Sequence, residues 1–102
     1  MQNLSPLEQG ITEFENRFKS GGHFHKEVML DHLYGSKHIG KLGELKSNML
    51  NKLDGMEGLL KEGIGALKNV PVGNPQAKSL LERSNECLKQ IEQARKVVYD
   101  FN

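Results

Sequence analysis

The chain has 102 residues, which is enough for one hydrophobic core and too few for two, so we expect a single helical domain over 1–102. Fourteen Lys and Arg residues against 13 Asp and Glu give a formal net charge of +1. Nucleic-acid binding depends on basic residues that neutralise phosphates, so this balanced charge leads us to expect no nucleic-acid partner. No apolar run approaches the roughly 18 residues of a membrane span, and charged residues from Glu8 to Arg17 exclude the apolar centre of a signal peptide. We therefore expect no membrane partner and a cytoplasmic location.

The first predicted helix spans about 5–19. Ser5 followed by Pro6 and Glu8 is a typical start, with serine as the N-cap and glutamate three residues later. A stripe of apolar residues follows at spacings of four, three and four: Leu7, Ile11, Phe14 and Phe18. The helix should end at Ser20, where Gly21 and Gly22 follow.

A second, shorter helix is predicted over about 24–34. Its apolar residues gather on one side: Met29, Leu30, Leu33 and Tyr34. Gly35 and Ser36 favour a break, although the pattern also allows one helix to continue through them.

The third predicted helix, about 37–69, has the strongest periodicity in the chain. Two heptad rows form one apolar seam, interrupted at Lys46 and Gly63: Ile39, Lys46, Leu53, Leu60 and Leu67 in one row, and Leu42, Met49, Met56, Gly63 and Val70 in the other. Glycines are frequent here, and each disfavours a helix by about 0.5–1 kcal/mol relative to alanine. Small residues such as Gly55, Gly58 and Gly63 could also permit close helix packing. The pattern predicts a helix that needs an apolar neighbour.

A loop at Pro71–Pro75 separates this helix from the last one, predicted over about 75–101. Asn74 should cap the last helix with Pro75 at its first position. Its apolar seam runs at spacings of three and four: Leu80, Ser84, Cys87, Ile91, Ala94, Val98 and Phe101, widened by Leu81 and Leu88. The short loop makes the two long helices antiparallel neighbours. The predicted fold is all-α, a helical hairpin with one or two N-terminal helices that form a three- or four-helix bundle.

The segment around this loop resembles the subunits of type III secretion needles. The resemblance rests on Ala66-Leu67-Lys68, Pro71, Asn74-Pro75 and a long amphipathic helix that ends near Phe101. It covers about a third of the chain, which has a longer region before the turn and a shorter final helix than those subunits. The resemblance implies self-assembly into a hollow filament, or an accessory role in a bacterial secretion apparatus.

Four histidines lie close together, at His23, His25, His32 and His38. If the second helix continues through Gly35, then His23, Glu27, Asp31 and His38 share one stripe with Tyr34. Histidine and carboxylate ligands suit zinc or iron, so a metal-binding helical protein is an alternative hypothesis. A solvated polar face has the same pattern, and no matching ligand pair occurs elsewhere. We therefore predict neither a metal site nor a cofactor.

We predict that the protein is not an enzyme. Cys87 is the only cysteine and has no nearby base in sequence, so we expect it to be buried and inert. Glu27 and Asp31 on an exposed helix would not have the separated pKa values that acid–base catalysis requires.

The predicted function is non-enzymatic protein–protein interaction. The glycine-weakened heptad helix would gain from apolar contact with a partner as well as with the last helix. The partner is a second copy, which makes a homo-oligomer, or another helical protein for which the chain acts as adaptor, chaperone or inhibitor. The residues expected at such an interface are Met49, Leu53, Met56, Leu60, Leu67, Leu81, Leu88, Ile91 and Val98.

Overall fold

The computed structural model describes residues 3–102, and this part of the chain folds into four helices without a strand. These are α1 (Ser5–Phe18), α2 (Lys26–His38), α3 (Leu42–Leu67) and α4 (Pro75–Asp100). α3 and α4 form a long antiparallel hairpin with the largest helix–helix interface. α1 and α2 pack one after the other along that hairpin. The molecule is therefore elongated, with dimensions of 53 × 21 × 19 Å. The fold is the expected all-α bundle.

One hydrophobic core extends through all four helices. Its side chains are nearly inaccessible to solvent in the chain by itself, and the least exposed ones include Ile11, Met29, Leu33, Met49, Leu53, Leu80, Ile91 and Val98. Burying each such side chain contributes about 1.5–3 kcal/mol, so the hairpin seam is the main stabilising element of the fold.

α1 begins at Ser5, and Ser5 is not the N-cap that its sequence suggests. The residue before it, Leu4, takes the cap position and makes no side-chain cap hydrogen bond. Instead, Asn3 Oδ1 accepts a hydrogen bond from the Ser5 backbone N–H at 3.0 Å. A side-chain oxygen two residues earlier therefore satisfies one of the free donors of the first turn.

A tight turn at residues 19–25 joins α1 to α2. Gly21 has φ +83°, a conformation that glycine adopts without strain. A Cβ on Gly22 would overlap the backbone carbonyl of Arg17. The Phe24 N–H donates to that same carbonyl oxygen at 2.8 Å. The two glycines thus let the chain fold back on the end of α1, which brings His23 and Phe24 beside it.

α2 is longer at its C-terminus than the sequence suggests, because the break lies at 39–41 rather than at Gly35 and Ser36. Gly35 is inside the helix, held there by the buried Met29 and Leu33 on the opposite face. The helix ends where Gly40 adopts φ +72° and the Lys41 N–H donates to Ser36 O at 2.8 Å. Left-handed glycine after a helix is a common way to satisfy its last carbonyls.

α3 begins at Leu42, so Ile39, expected in the heptad seam, lies in the turn before it and is 72% exposed. The glycines of α3 mostly do not serve close helix packing, since a Cβ at Gly55 or Gly58 would meet no atom within 4 Å. Gly63 is different: a Cβ there would come within 2.8 Å of Leu7 Cδ1 on α1. Close approach therefore occurs at one point, between the start of α1 and the end of α3.

The loop and cap before α4 are as the sequence predicts. Asn74 Oδ1 accepts hydrogen bonds from the backbone N–H groups of Gln76 at 3.0 Å and Ala77 at 3.2 Å. Pro75 occupies the first helical position and Gly73 has φ +97°. These local interactions fix the direction in which α4 returns along α3.

Candidate functional site

One edge of α1 is tied to α4 by a single arginine. The Arg83 guanidinium donates to both carboxylate oxygens of Glu15, at 3.1 and 2.7 Å, and to Thr12 Oγ1 at 3.0 Å. Glu8 adds an ion pair at 3.6 Å. The hydrogen bonds from Arg83 hold the pKa of the Glu15 carboxyl below its usual value. We call this side of α1 the Arg83 seam.

A second arginine joins α3 to α4. Arg95 donates to Glu57 at 2.9 Å and to Asp54 at 2.8 Å, and also pairs with Glu92 on its own helix. Hydrogen bonding to Arg95 lowers the pKa of Glu57. Arg83 and Arg95 are thus both engaged by carboxylates of the chain, and each fastens two helices together.

The opposite edge of α1 faces an open groove. α1 touches α3 near Leu7 and Gly63, and a cavity of about 500 Å³ lies between the two helices beyond that contact. We call it the α1–α3 groove; its lining residues are Phe14, Arg17, His23, Phe24, Lys52, Gly55, Met56 and Leu59. Leu59 is 59% exposed, and no Cβ projects from Gly55 into the opening. The groove therefore presents apolar surface that the chain itself does not cover.

Three basic side chains line this groove. Arg17 lies over the Phe14 ring, 5.1 Å from its centroid. Lys52 projects from α3, and His23 comes from the turn after α1. Within residues 3–102, no carboxylate oxygen lies within 4.0 Å of any of these three basic groups. The α1–α3 groove thus combines an apolar lining with positive charge that the chain leaves uncompensated.

The pKa of His23 is shifted in this environment. Its pKa lies below the usual value, first because partial burial disfavours the imidazolium and then because Lys52, His32 and Arg17 are close by. The His23 ring packs edge-on against Phe24, with centroids 4.8 Å apart, and lies 5.7 Å from His32. α1, α2 and α3 therefore each direct a basic group toward the same imidazole.

A further groove lies between α2 and α4, with a volume of about 450 Å³. Its apolar surface comes from Leu30, Val97 and Phe101, and its charged residues are of both signs: Lys26, Lys96 and Asp100. Because a carboxylate is already present among these lysines, this groove has a weaker charge preference than the α1–α3 groove.

Most residues expected at a partner interface belong to the internal core. Seven of them are at most 5% exposed: Met49, Leu53, Met56, Leu60, Leu67, Ile91 and Val98. Leu81 and Leu88 are half-buried and pack against that core. The heptad seam is thus covered by the chain's own helices, and an external partner has little access to it.

The structure does not assemble the proposed metal ligands into a site. His23 lies in the turn before α2, whereas Glu27, Asp31 and His38 are on the helix itself. In the part of the chain that the structure describes, no group of three or more His, Cys, Asp or Glu residues could hold a metal ion. His23 is instead surrounded by basic groups, which oppose cation binding.

Cys87 is buried in α4 and 1% exposed. Burial raises the pKa of its thiol to about 11. At neutral pH the group is therefore almost wholly protonated, and neither its charge state nor its access suits a nucleophile.

Among the helices within residues 3–102, none has both the length and the apolar character to span a bilayer. No protein-family model, curated protein or solved structure matches the chain.

Sequence reasoning did not identify the α1–α3 groove. The available signal was Leu59, an apolar residue outside both heptad rows of α3, together with Gly55 one turn earlier. Arg17 and Lys52 gave no such signal, since only the packing of α1 beside α3 brings them to one opening.

Proposed function

We propose that the protein is a non-enzymatic helical interaction module and that it binds its partner through the α1–α3 groove. The observation that supports this most is the uncovered apolar lining of the groove beside Leu59. In this proposal the protein acts in the cytoplasm, as a self-associating subunit or as an adaptor, chaperone or inhibitor of another helical protein.

The groove replaces the heptad seam as the proposed binding surface. The seam of α3 is covered by α4 and by the two N-terminal helices, so the core needs no further apolar contact. An exposed apolar opening between helices, by contrast, is a common docking site for a helix of another protein. Beside α1 the bundle is three helices thick, and a fourth helix would fit the opening.

Site-specific photo-crosslinking tests the proposal. A benzophenone amino acid at Leu59 reports on the groove, and the same amino acid at Asn85, exposed on α4, serves as the matched control. In cells of the native source we expect one discrete crosslinked product from position 59 and none from position 85. Mass spectrometry of that product distinguishes a second copy from another protein. Equal crosslinking at the two positions, or none at either, would contradict the proposal.

Sedimentation velocity over a wide concentration range tests the self-associating version separately. A dimer that forms with rising concentration and is lost in Leu59→Asp would support it, whereas a monomer throughout would restrict the proposal to another protein. Growth into long polymers would instead favour the filament role implied by the resemblance to secretion needle subunits. Circular dichroism checks that Leu59→Asp remains folded, as expected for an exposed position.

A further inference from the structure

We propose, on the basis of the function proposed above, that the α1–α3 groove binds an acidic amphipathic helix of another protein. Its apolar residues would pack on Phe14 and Leu59, above a floor that includes the buried Met56, and its carboxylates would contact Arg17 and Lys52. The proposal thus specifies the charge, shape and apolar character of the partner.

The charge of the partner follows from the unpaired basic groups of the groove. Arg83 and Arg95 are engaged by carboxylates of the chain, but Arg17 and Lys52 have none within 4.0 Å in residues 3–102. Glu13, one turn before Arg17 on α1, is near in sequence, yet such exposed pairs contribute only about 0.3–0.5 kcal/mol. A partner carboxylate would therefore meet little competition.

The partner also needs apolar side chains, because charge alone would leave the lining of the groove exposed to water. Met56 is 3% exposed and forms part of the floor, whereas Leu59 stands at the edge, 59% exposed. Phe14 supplies a half-buried aromatic surface beneath Arg17. The opening above Gly55 is free of side-chain atoms and leaves room for a large side chain between Phe14 and Leu59.

A helix suits this opening better than an extended segment. Two helices form its long walls, so a third parallel or antiparallel helix can pack its side chains between theirs. α1 has 14 residues and limits the length of the groove to about 21 Å. The contact of Leu7 with Gly63 closes one end, so a partner helix of at most about four turns can lie along the groove.

Two other occupants fit less well. In a second copy of the chain, the helices within residues 3–102 keep only isolated exposed large apolar side chains, Tyr34, Leu59 and Tyr99 on three different helices, so none of them offers an apolar stripe to the groove. A flat anionic membrane would reach the lysine and arginine but not the floor of a concave opening between two helices. Both remain outcomes of the experiment.

A display library of four-turn helices tests the inference. Its apolar positions are fixed and its remaining positions are randomised among Glu, Gln and Lys, and it is selected against the full chain. The test variant is Arg17→Glu with Lys52→Glu, and the matched control is Lys78→Glu with Lys89→Glu, two exposed lysines of α4. Both variants change the net charge equally. Gly55→Leu is a third variant that places a side chain in the open groove, at a position where a Cβ meets no atom within 4 Å.

We expect the selected peptides to be rich in glutamate and to bind the test variant about tenfold or more weakly, with less than about a twofold change for the control. Gly55→Leu should weaken binding similarly, while the protein keeps its helicity and a thermal midpoint no lower than that of the unmodified chain, because leucine favours a helix more than glycine does.

Three outcomes would overturn the inference. Neutral or basic peptides that Gly55→Leu blocks would refute the acidic partner but retain the proposed function. Absence of any selected peptide, together with no crosslinking from position 59, would refute both. Charge-sensitive binding to anionic lipid vesicles, or a dimer lost in the test variant, would assign the groove to a membrane or to a second copy.

Discussion

The two edges of α1 differ in whether their charged side chains are paired within the chain. On the Arg83 seam, Glu15 and Arg83 meet at hydrogen-bonding distance and join α1 to α4. On the other edge, Arg17 and Lys52 stand beside the α1–α3 groove without a carboxylate within 4.0 Å in the described chain. One edge of the helix is closed by the fold and the other is left open.

This difference suggests a division of roles along one short helix. Paired charges on the Arg83 seam contribute to holding α1 in place, whereas Arg17 and Lys52 make no ion pair with a carboxylate in the described chain. Partial burial first, and then these groups together with His32, lower the pKa of His23. Side chains that are neutral or unfavourable for folding are the ones we expect to serve binding.

The largest expected effect on the free energy of unfolding distinguishes a core position of α3 from a groove position of the same helix. Leu53 is fully buried, so Leu53→Ala should lower the free energy of unfolding by about 2–5 kcal/mol through lost burial and a cavity. Leu59→Ala, the same change at a 59% exposed position, should shift it by less than about 0.5 kcal/mol. Urea denaturation of both variants measures this. Similar losses would mean that the groove lining is part of the structural core.

The next largest expected effect on the free energy of unfolding distinguishes the two edges of α1. Arg83→Ala removes the hydrogen bonds to Glu15 and Thr12 and should lower the free energy of unfolding by about 1–2 kcal/mol, allowing for partial exposure. Arg17→Ala should have a smaller effect of less than about 1 kcal/mol, since Arg17 pairs with no carboxylate in the described residues and loses only its contact with the Phe14 ring. Thermal or chemical denaturation compares the two. A larger loss for Arg17→Ala would refute the division between a closed and an open edge.

The sequence predicted the fold more fully than the site because the two depend on different information. Spacing along one helix placed Leu53, Leu60 and Ile91 on apolar faces, and local turn chemistry predicted the cap at Asn74. The same spacing could not distinguish burial within the chain from burial against a partner. The heptad pattern for that reason predicts the same residues for an interface as for the core.

The α1–α3 groove depends on a relation between helices that spacing does not contain. Arg17 and Lys52 are 35 positions apart, and they approach one opening only because the turn at Gly21 and Gly22 sets where α1 ends. The break after α2 was similarly decided by Gly40 and not by Gly35, since burial of Met29 and Leu33 outweighs the small penalty of a glycine within the helix.

Acidification should weaken the two edges in different pH ranges. The pKa of His23 in the folded chain is lowered from 6.5, so the unfolded chain binds the proton more readily. Stability at the open edge is then unaffected above pH 6.5 and falls as pH drops toward the lowered pKa. The pKa of Glu15 is lowered from 4.5 by its hydrogen bonds to Arg83, so the contribution of the Arg83 seam is complete above pH 4.5 and is lost below it.

Two variants resolve these ranges in urea denaturation from about pH 7.5 to pH 3. His23→Gln should flatten the mildly acidic part of the stability profile, and Glu15→Gln the strongly acidic part. Arg17, His32 and Lys52 are the basic groups that face His23 from the three helices around it, and they disfavour the imidazolium as burial does, so the sign of the effect is the same. An acidic helix bound in the groove would favour the imidazolium, and its affinity should therefore rise as pH falls through the same range. A profile for His23→Gln that matches the unmodified chain would show that neither the partial burial of His23 nor the basic groups beside it affect the stability of the fold.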